Sequence, residues 1–263
     1  MINKRFLIIA GLCLLTSSLF AQVDTIRLQD KRLNTALLKP GLKQYLVYFQ
    51  LSASKKSLRF WLWLRDVKKT QRDGAKVFTV TQNWYGNDST IYRHIYSVNR
   101  EIDFAPIYHE ENSGNKINAY NWTAKEIRGA DTVAGNVRKD FTLAFTQPNF
   151  NWNLDIETFE MLPLAADKAF AINFYDAGSG LPRYALYKVS GSEVLKTLDN
   201  KEVDCWKLVT EGSNAGKSYR QVFWISKKGH EFLKEEDSMD GMYRYKIKLS
   251  GAAPDIVSRF MSK

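Results

Sequence analysis

Apolar and polar residues alternate in short runs along most of the chain after residue 40, and Gly, Asn, Asp and Ser separate these runs. Alternation with a period of two is typical of strands, and short polar connections favour antiparallel neighbours. The pattern therefore predicts a mainly β protein built on a curved antiparallel sheet. The predicted strands are 44–51, 57–67, 76–85, 90–99, 116–124 and 138–145, then 170–175, 183–189, 201–210, 218–226, 231–237 and 242–249.

One segment between the two sets of strands has a helical period instead. Ile156, Phe159 and Leu162 fall three residues apart, and Pro163 prevents a helix from continuing. We predict one short helix within 153–162. Its apolar stripe needs a partner, and we expect it to pack on the concave face of the sheet.

The first residues of the chain have the pattern of a secretory signal peptide. Lys4 and Arg5 precede the apolar run Phe6–Leu15, which is too short to span a bilayer, and the small residue Ala21 suits a signal peptidase. We predict a signal peptide over 1–21 and a single β-rich domain over 22–263. The protein is then exported, to the periplasm in the first instance, with the cell surface or the extracellular space as alternatives.

The net charge of the chain is +10. Export argues against nucleic acid as the partner of this basic surface and favours an anionic membrane surface or another component of the cell envelope. The alternative is a soluble surface whose lysines have no partner. Loss of Cys13 with the signal peptide leaves Cys205 as the one thiol, so an intramolecular disulfide is not expected.

No motif in the sequence predicts an enzyme. Ser52 and Lys55 have the spacing of a Ser-x-x-Lys nucleophile, but they lie between predicted strands rather than on a helix. The three histidines, His94, His109 and His230, lack the spacing of metal ligands. We therefore expect no catalytic residues, no metal site and no cofactor.

Predicted strand 57–67 carries the best local indication of a binding site. One face is lined by leucines and a phenylalanine, whereas the other presents Arg59, Trp61, Trp63 and Arg65. These side chains, with Trp84 from the next strand, are candidates for an apolar cavity with a basic rim, in which an acyl chain with an anionic head would bind. The alternative is structural: the strand lies between the sheet and the helix, with large side chains packed on both sides.

The second half of the chain resembles exported bacterial proteins that carry domain of unknown function 3108. The resemblance implies a half-barrel or clam-like sheet enclosing a helix, similar to periplasmic carriers of lipoproteins or lipids; it implies no site residues. The segments that carry it are Asp155-Ile-Glu-Thr-Phe159, Leu162-Pro-Leu-Ala-Ala-Asp-Lys-Ala-Phe170, Asn173-Phe-Tyr-Asp-Ala-Gly178, Asp204-Cys-Trp-Lys-Leu208, Phe223-Trp-Ile-Ser-Lys227, Phe232-Leu-Lys-Glu-Glu236 and Tyr243-Arg-Tyr-Lys246.

Two functional hypotheses follow. The first is a non-catalytic carrier or binding module that buries a hydrophobic ligand such as a lipid or a lipoprotein acyl chain. The second is a structural or interaction protein of the cell envelope with a packed core and no small ligand. A sizeable apolar cavity would favour the first hypothesis, and a solid interior would favour the second.

Overall fold

The computed structural model describes residues 23–50, 58–87, 92–214 and 216–251, so the predicted signal peptide lies outside the described residues. Within them the chain forms sixteen strands and one α-helix, α1 (Asp155–Glu160), and no helix long and apolar enough to cross a membrane. The strands are β1 (Val23–Ile26), β2 (Gly41–Gln50), β3 (Leu58–Arg72), β4 (Ala75–Tyr85), β5 (Arg93–Arg100), β6 (Pro106–Ser113), β7 (Lys116–Trp122), β8 (Glu126–Gly129), β9 (Thr142–Ala144), β10 (Phe150–Asn151), β11 (Ala169–Asp176), β12 (Ser179–Lys196), β13 (Glu202–Asn214), β14 (Lys217–Ser226), β15 (Phe232–Met239) and β16 (Met242–Lys248).

All sixteen strands belong to one sheet, which is built from two antiparallel meanders. β2 to β9 form one meander and β11 to β16 the other, and pairing of β16 with β2 joins them. The prediction of a mainly β fold is confirmed. The sheet is mixed rather than wholly antiparallel, because β1 and β10 both pair in parallel with β11 and together occupy its free edge.

Most of the predicted strands are present, with bounds that differ by up to seven residues; the largest difference is at β12, predicted over 183–189. The exception is predicted strand 138–145, of which only Thr142–Ala144 is a strand, since the segment before it forms turns that carry Asn136 into the sheet. β6 was not predicted, because Pro106 and the pair Glu110-Glu111 weaken its strand pattern.

The helix is shorter than predicted and is preceded by a 3-10 turn, Trp152–Leu154, which the side chain of Asn151 caps at the backbone N–H of Asn153. α1 packs on one face of the sheet, which we call the helix side. Phe159 occupies the centre of this face, and its ring centroid lies 4.7 Å from that of Tyr187 and 4.9 Å from that of Phe223. The largest apolar core of the described residues surrounds Phe159.

The two ends of the sheet approach each other through side chains rather than through a strand pair. Tyr175 of β11 packs on Trp122 of β7 and on Phe145, with ring centroids 5.6 Å apart in each case. β7 lies near one end of the strand order and β11 near the other, and the sheet is not closed into a barrel in the described residues. An aromatic cluster therefore covers the gap.

Candidate functional site

The three predicted site tryptophans lie together on the helix side. Trp63 stacks on Trp84 with ring centroids 4.5 Å apart, and Trp84 meets Trp61 edge to face at 5.7 Å. Trp63 is 1% exposed and belongs to the core, whereas Trp61 and Trp84 are partly buried beside it. The indole N–H groups of Trp61 and Trp84 have no hydrogen-bond partner in the described part of the chain.

The two predicted site arginines have different environments. Arg65 is 2% exposed and makes a bidentate ion pair with Glu157 of α1, in which Nε donates to Oε1 at 2.7 Å. Arg65 therefore lies in the interior and not at a rim, because the helix covers this part of β3. Burial lowers the pKa of its guanidinium to about 10. Arg59 is exposed near the start of β3, paired in register with Phe49 of β2.

A cleft of about 520 Å³ opens at one end of the helix side. We call this end, where the turns at 177–178 and 240–241 lie, the mouth end of the sheet. Aromatic and apolar side chains make up the larger part of the cleft wall. The lining side chains are Phe49, Trp152, Arg183, Tyr184, Ala185, Thr210, Ser213, Tyr219, Gln221, Asp237, Ser238, Met239, Met242, Tyr243 and Arg244.

Phe49 connects the cleft to the tryptophan cluster. Its ring lies in the cleft wall and packs edge to face on Trp61, with centroids 4.7 Å apart. Trp61, Trp63 and Trp84 themselves do not line the cleft. The sequence thus indicated residues that support the wall, and it missed those that form it.

A compensated set of charges lies at the inner wall of the cleft, where Asp237 and Arg244 line the cleft and Glu235 and Lys246 are buried behind them. Arg244 lies between Glu235 and Asp237, donating to Glu235 at 2.9 Å, and Lys246 pairs with the other oxygen of Glu235 at 2.5 Å. Burial and then the neighbouring Glu235 raise the pKa of Asp237 to about 7. Burial opposes ionisation of Glu235, but Lys246 and Arg244 outweigh it and lower the pKa of that carboxyl.

Arg183 is the cation of the cleft wall that has no carboxylate partner among the described residues. It is exposed, and its guanidinium carbon lies 5.8 Å from the ring centroid of Trp152. A cation–π contact of this length holds the guanidinium loosely over the ring and leaves its donors open to solvent or to a ligand. Among the described residues, the uncompensated charge of the cleft wall is therefore positive.

One buried Ser–His pair lies outside the cleft. Ser97 Oγ is 3.0 Å from Nδ1 of His109, and Asn151 Nδ2 donates to the same nitrogen at 3.0 Å. All three side chains are buried, and burial, then Arg93, lowers the pKa of His109 to about 3. His109 is therefore neutral and ties β6 to β5 and to the segment before α1. No cluster of metal-ligating side chains occurs in the described ranges.

Cys205 is the one free cysteine of the described chain and is fully buried in a second apolar cluster with Val209, Val222, Trp224 and Leu233. Burial, then Asp204, raises the pKa of its thiol to about 11. A thiol of this kind packs as a small apolar side chain and is a poor nucleophile.

Sequence reasoning missed the cleft residues because they come from strands far apart in the chain. Phe49 lies in β2, Arg183 in β12 and Arg244 in β16, and the pairing of β16 with β2 brings the two halves together. The available signal was local: Met239 and Met242 are apolar residues that flank the turn Asp240-Gly241, where polar residues are usual.

The fold and the site together define an open mixed β-sheet protein with a helix on one face and an amphipathic cleft at one end. The family model for the protein of unknown function DUF3108 matches residues 44–248, and the chain belongs to this family. The comparisons with curated proteins and with solved structures give no match.

Proposed function

We propose that this protein is a non-catalytic binding module or carrier, and that its cleft holds an amphipathic ligand with an acyl chain and an anionic head. The observation that carries the proposal is the open cleft of about 520 Å³ at the mouth end. Its volume falls within the range of small-molecule sites, which are mostly apolar with a few polar groups that orient the ligand.

The apolar walls would supply the affinity. Phe49, Trp152, Met239 and Met242 face the cleft, and burial of an acyl chain against them contributes about 0.8 kcal/mol for each methylene removed from water. Methionine side chains adapt to ligands of different shape, so the site suits a flexible chain better than a rigid ring system.

The charges of the cleft favour an anionic head. Asp237 and Glu235 already pair with Arg244 and Lys246, so a cationic head would find no free carboxylate on this wall. Arg183 can donate two parallel hydrogen bonds to a carboxylate or a phosphate, because its guanidinium contacts only the face of Trp152.

The site of action that we propose is outside the cytoplasm, in the periplasm in the first instance. The support for it is the sequence of residues 1–21, with two cations, an apolar run and a small residue at the expected cleavage point. A carrier in that compartment would move an acyl chain through water between envelope membranes.

The experiment is mass spectrometry of an organic extract of residues 22–263, purified from the periplasm without detergent and compared with a mock preparation. We expect a lipid at a stoichiometry close to one. In Ser213→Trp a large side chain enters the cleft wall, and we expect the amount of lipid per protein to fall. The matched control, Ser192→Trp, places the same indole at an exposed position outside the cleft and should retain the ligand.

A specific observation supports a second function, an interaction protein of the cell envelope without a small ligand. Phe159 fills the centre of the helix side, so the apolar interior is packed and the cleft is confined to one end. A clean extract, both from the periplasm and after incubation with envelope lipids, would overturn the carrier and favour this alternative.

A further inference from the structure

The mouth end of the sheet carries exposed apolar side chains around the opening of the cleft. Leu181 is 71% exposed and Leu58 51%, and Met239 and Met242, beside the turn at 240–241, are 41% and 38% exposed. They lie on β12, β3, β15 and β16, respectively. These strands belong to a run of seven neighbouring strands in the sheet, which are β12, β13, β14, β15, β16, β2 and β3. Seven strands spaced about 4.8 Å apart give this rim a length of about 29 Å.

Among the residues described at the mouth end, the charged side chains that lack a hydrogen-bond or ion-pair partner are basic. Arg59 and Arg183 have no carboxylate partner in the part of the chain that the structure describes. Acidic side chains that the structure describes at this end are engaged: Asp240 pairs with Lys217 at 3.1 Å, Glu211 with Arg220 at 3.6 Å and Asp176 accepts from the amide of Asn153 at 3.3 Å. An anionic surface is therefore attracted to this end.

We propose that the mouth end docks on the surface of an anionic phospholipid bilayer. Leu58, Leu181, Met239 and Met242 enter the boundary between headgroups and acyl chains, and Arg59 and Arg183 contact the phosphates. Apolar tips combined with arginines are the side chains that bind at such a boundary. The cleft opens within this rim, so a docked protein takes up or delivers an acyl chain without exposing it to water.

The proposal goes beyond ligand binding and can be tested separately from it, because Leu58, Arg59 and Leu181 do not line the cleft. The experiment is co-sedimentation of residues 22–263 with two kinds of vesicle. One kind is phosphatidylcholine alone, and the other contains ~30% phosphatidylglycerol, which makes the vesicle surface strongly anionic. We expect binding to the anionic vesicles, weakened by salt because charges at a surface are screened.

The variants locate the docking surface. Arg59→Gln should weaken vesicle binding about fivefold, since a basic residue near an anionic surface contributes about 1 kcal/mol. Leu58→Ser combined with Leu181→Ser should reduce binding further. The matched control is Ile102→Ser with Leu198→Ser, two equally exposed residues in turns at the opposite end of the sheet, and it should bind as the wild type does.

Equal binding to both kinds of vesicle, equal loss in the two double variants, or no binding would overturn the proposal. The amount of co-purifying lipid distinguishes this failure from failure of the carrier. A protein that retains lipid but ignores vesicles has a cleft without membrane docking, and Ser213→Trp, which should block the cleft, is expected to dock normally.

Discussion

Arg65 of β3 and Glu157 of α1 form a buried bidentate ion pair that fixes the helix against the sheet. Both side chains are at most 3% exposed, and the two residues are 92 positions apart in the chain. The guanidinium also lies 4.5 Å from the ring centroid of Trp63, so one side chain contacts both the helix and the tryptophan cluster.

We predict that Arg65→Met destabilises the protein by about 3–5 kcal/mol, because it leaves the Glu157 carboxylate buried without its partner. Joint replacement, Arg65→Met with Glu157→Leu, should recover most of this loss, since well-packed apolar side chains often substitute for a buried pair. Urea denaturation of the two single variants and the double variant measures the coupling. Additive losses would show that the pair does not act as a unit.

The same pair shows how far the sequence alone could go. The alternation Arg59, Trp61, Trp63, Arg65 allowed two interpretations, a cavity with a basic rim or a face packed under the helix, and Trp63 and Arg65 are packed. The spacing of Ile156 and Phe159 correctly predicts a helix. What sequence could not provide is the partner of Arg65, because Glu157 belongs to an element that only the tertiary fold brings near. An arginine predicted for a basic rim is instead a core residue.

The cleft was beyond prediction for a related reason. Its wall combines residues of β2, β12, β13, β14, β15 and β16, and their order in the sheet depends on the pairing of β16 with β2. Alternation predicts strands over 44–51 and 242–249, which correspond to β2 and β16, but it carries no information on which strand lies beside which.

Asp237 in the cleft wall predicts a pH dependence of stability. Burial and then Glu235 raise its pKa to about 7, so the folded state retains a proton that the unfolded state loses near pH 4. The contribution of Asp237 to stability therefore falls as pH rises from about 4 to 7, by at most roughly 1.4 kcal/mol for each pH unit. Asparagine resembles the protonated carboxyl but does not titrate, so Asp237→Asn should be more stable than the wild type at pH 8.

Urea midpoints of the wild type and of Asp237→Asn at pH 5 and pH 8 test this expectation. Asp199→Asn is the control without a slope in this range, since hydrogen bonds from Lys201 and then Thr197 lower the pKa of that exposed carboxyl to about 2 and it stays ionised in both states between pH 5 and pH 8. A wild type whose stability rises between pH 5 and pH 8 relative to Asp237→Asn would contradict the prediction.

His109 predicts a second pH dependence, at lower pH. Burial, then Arg93, lowers its pKa to about 3, so between about pH 6.5 and pH 3 the unfolded state binds a proton that the folded state does not. The stability contributed by the neutral ring is complete above pH 6.5 and is lost as pH falls, by up to about 1.4 kcal/mol for each pH unit.

The variant His109→Gln keeps an acceptor for Asn151 and removes the titrating group. We expect it to be less stable than the wild type at pH 7 and to show a shallower loss of stability between pH 6.5 and pH 4. His94→Gln makes the same chemical change in the neighbouring strand and keeps His109, so a slope that is reduced in His109→Gln but not in His94→Gln is assigned to His109. Parallel pH curves for the wild type and His109→Gln would exclude His109 as the source.

Gly178, in the turn between β11 and β12, lies where the two ends of the sheet approach each other. It has φ = +80°, and a Cβ at this position would lie 2.3 Å from the hydroxyl oxygen of Tyr120 on β7. Tyr120 is 1% exposed and cannot move aside freely. Gly178→Ala therefore combines backbone strain with a collision across the gap in the sheet.

Gly114→Ala separates the two effects, because Gly114 has φ = +61° and open space around its Cβ position. We expect Gly114→Ala to cost about 1–2 kcal/mol from the left-handed backbone alone. Gly178→Ala should cost a further 1–3 kcal/mol or so, which is the range for overpacking a filled interior. If thermal and urea denaturation gave the same loss for both variants, Tyr120 and the turn at Gly178 would not be in firm contact. A larger loss at Gly178 would mean that this contact, together with the packing of Tyr175 on Trp122, holds the open ends of the sheet together without a strand pair.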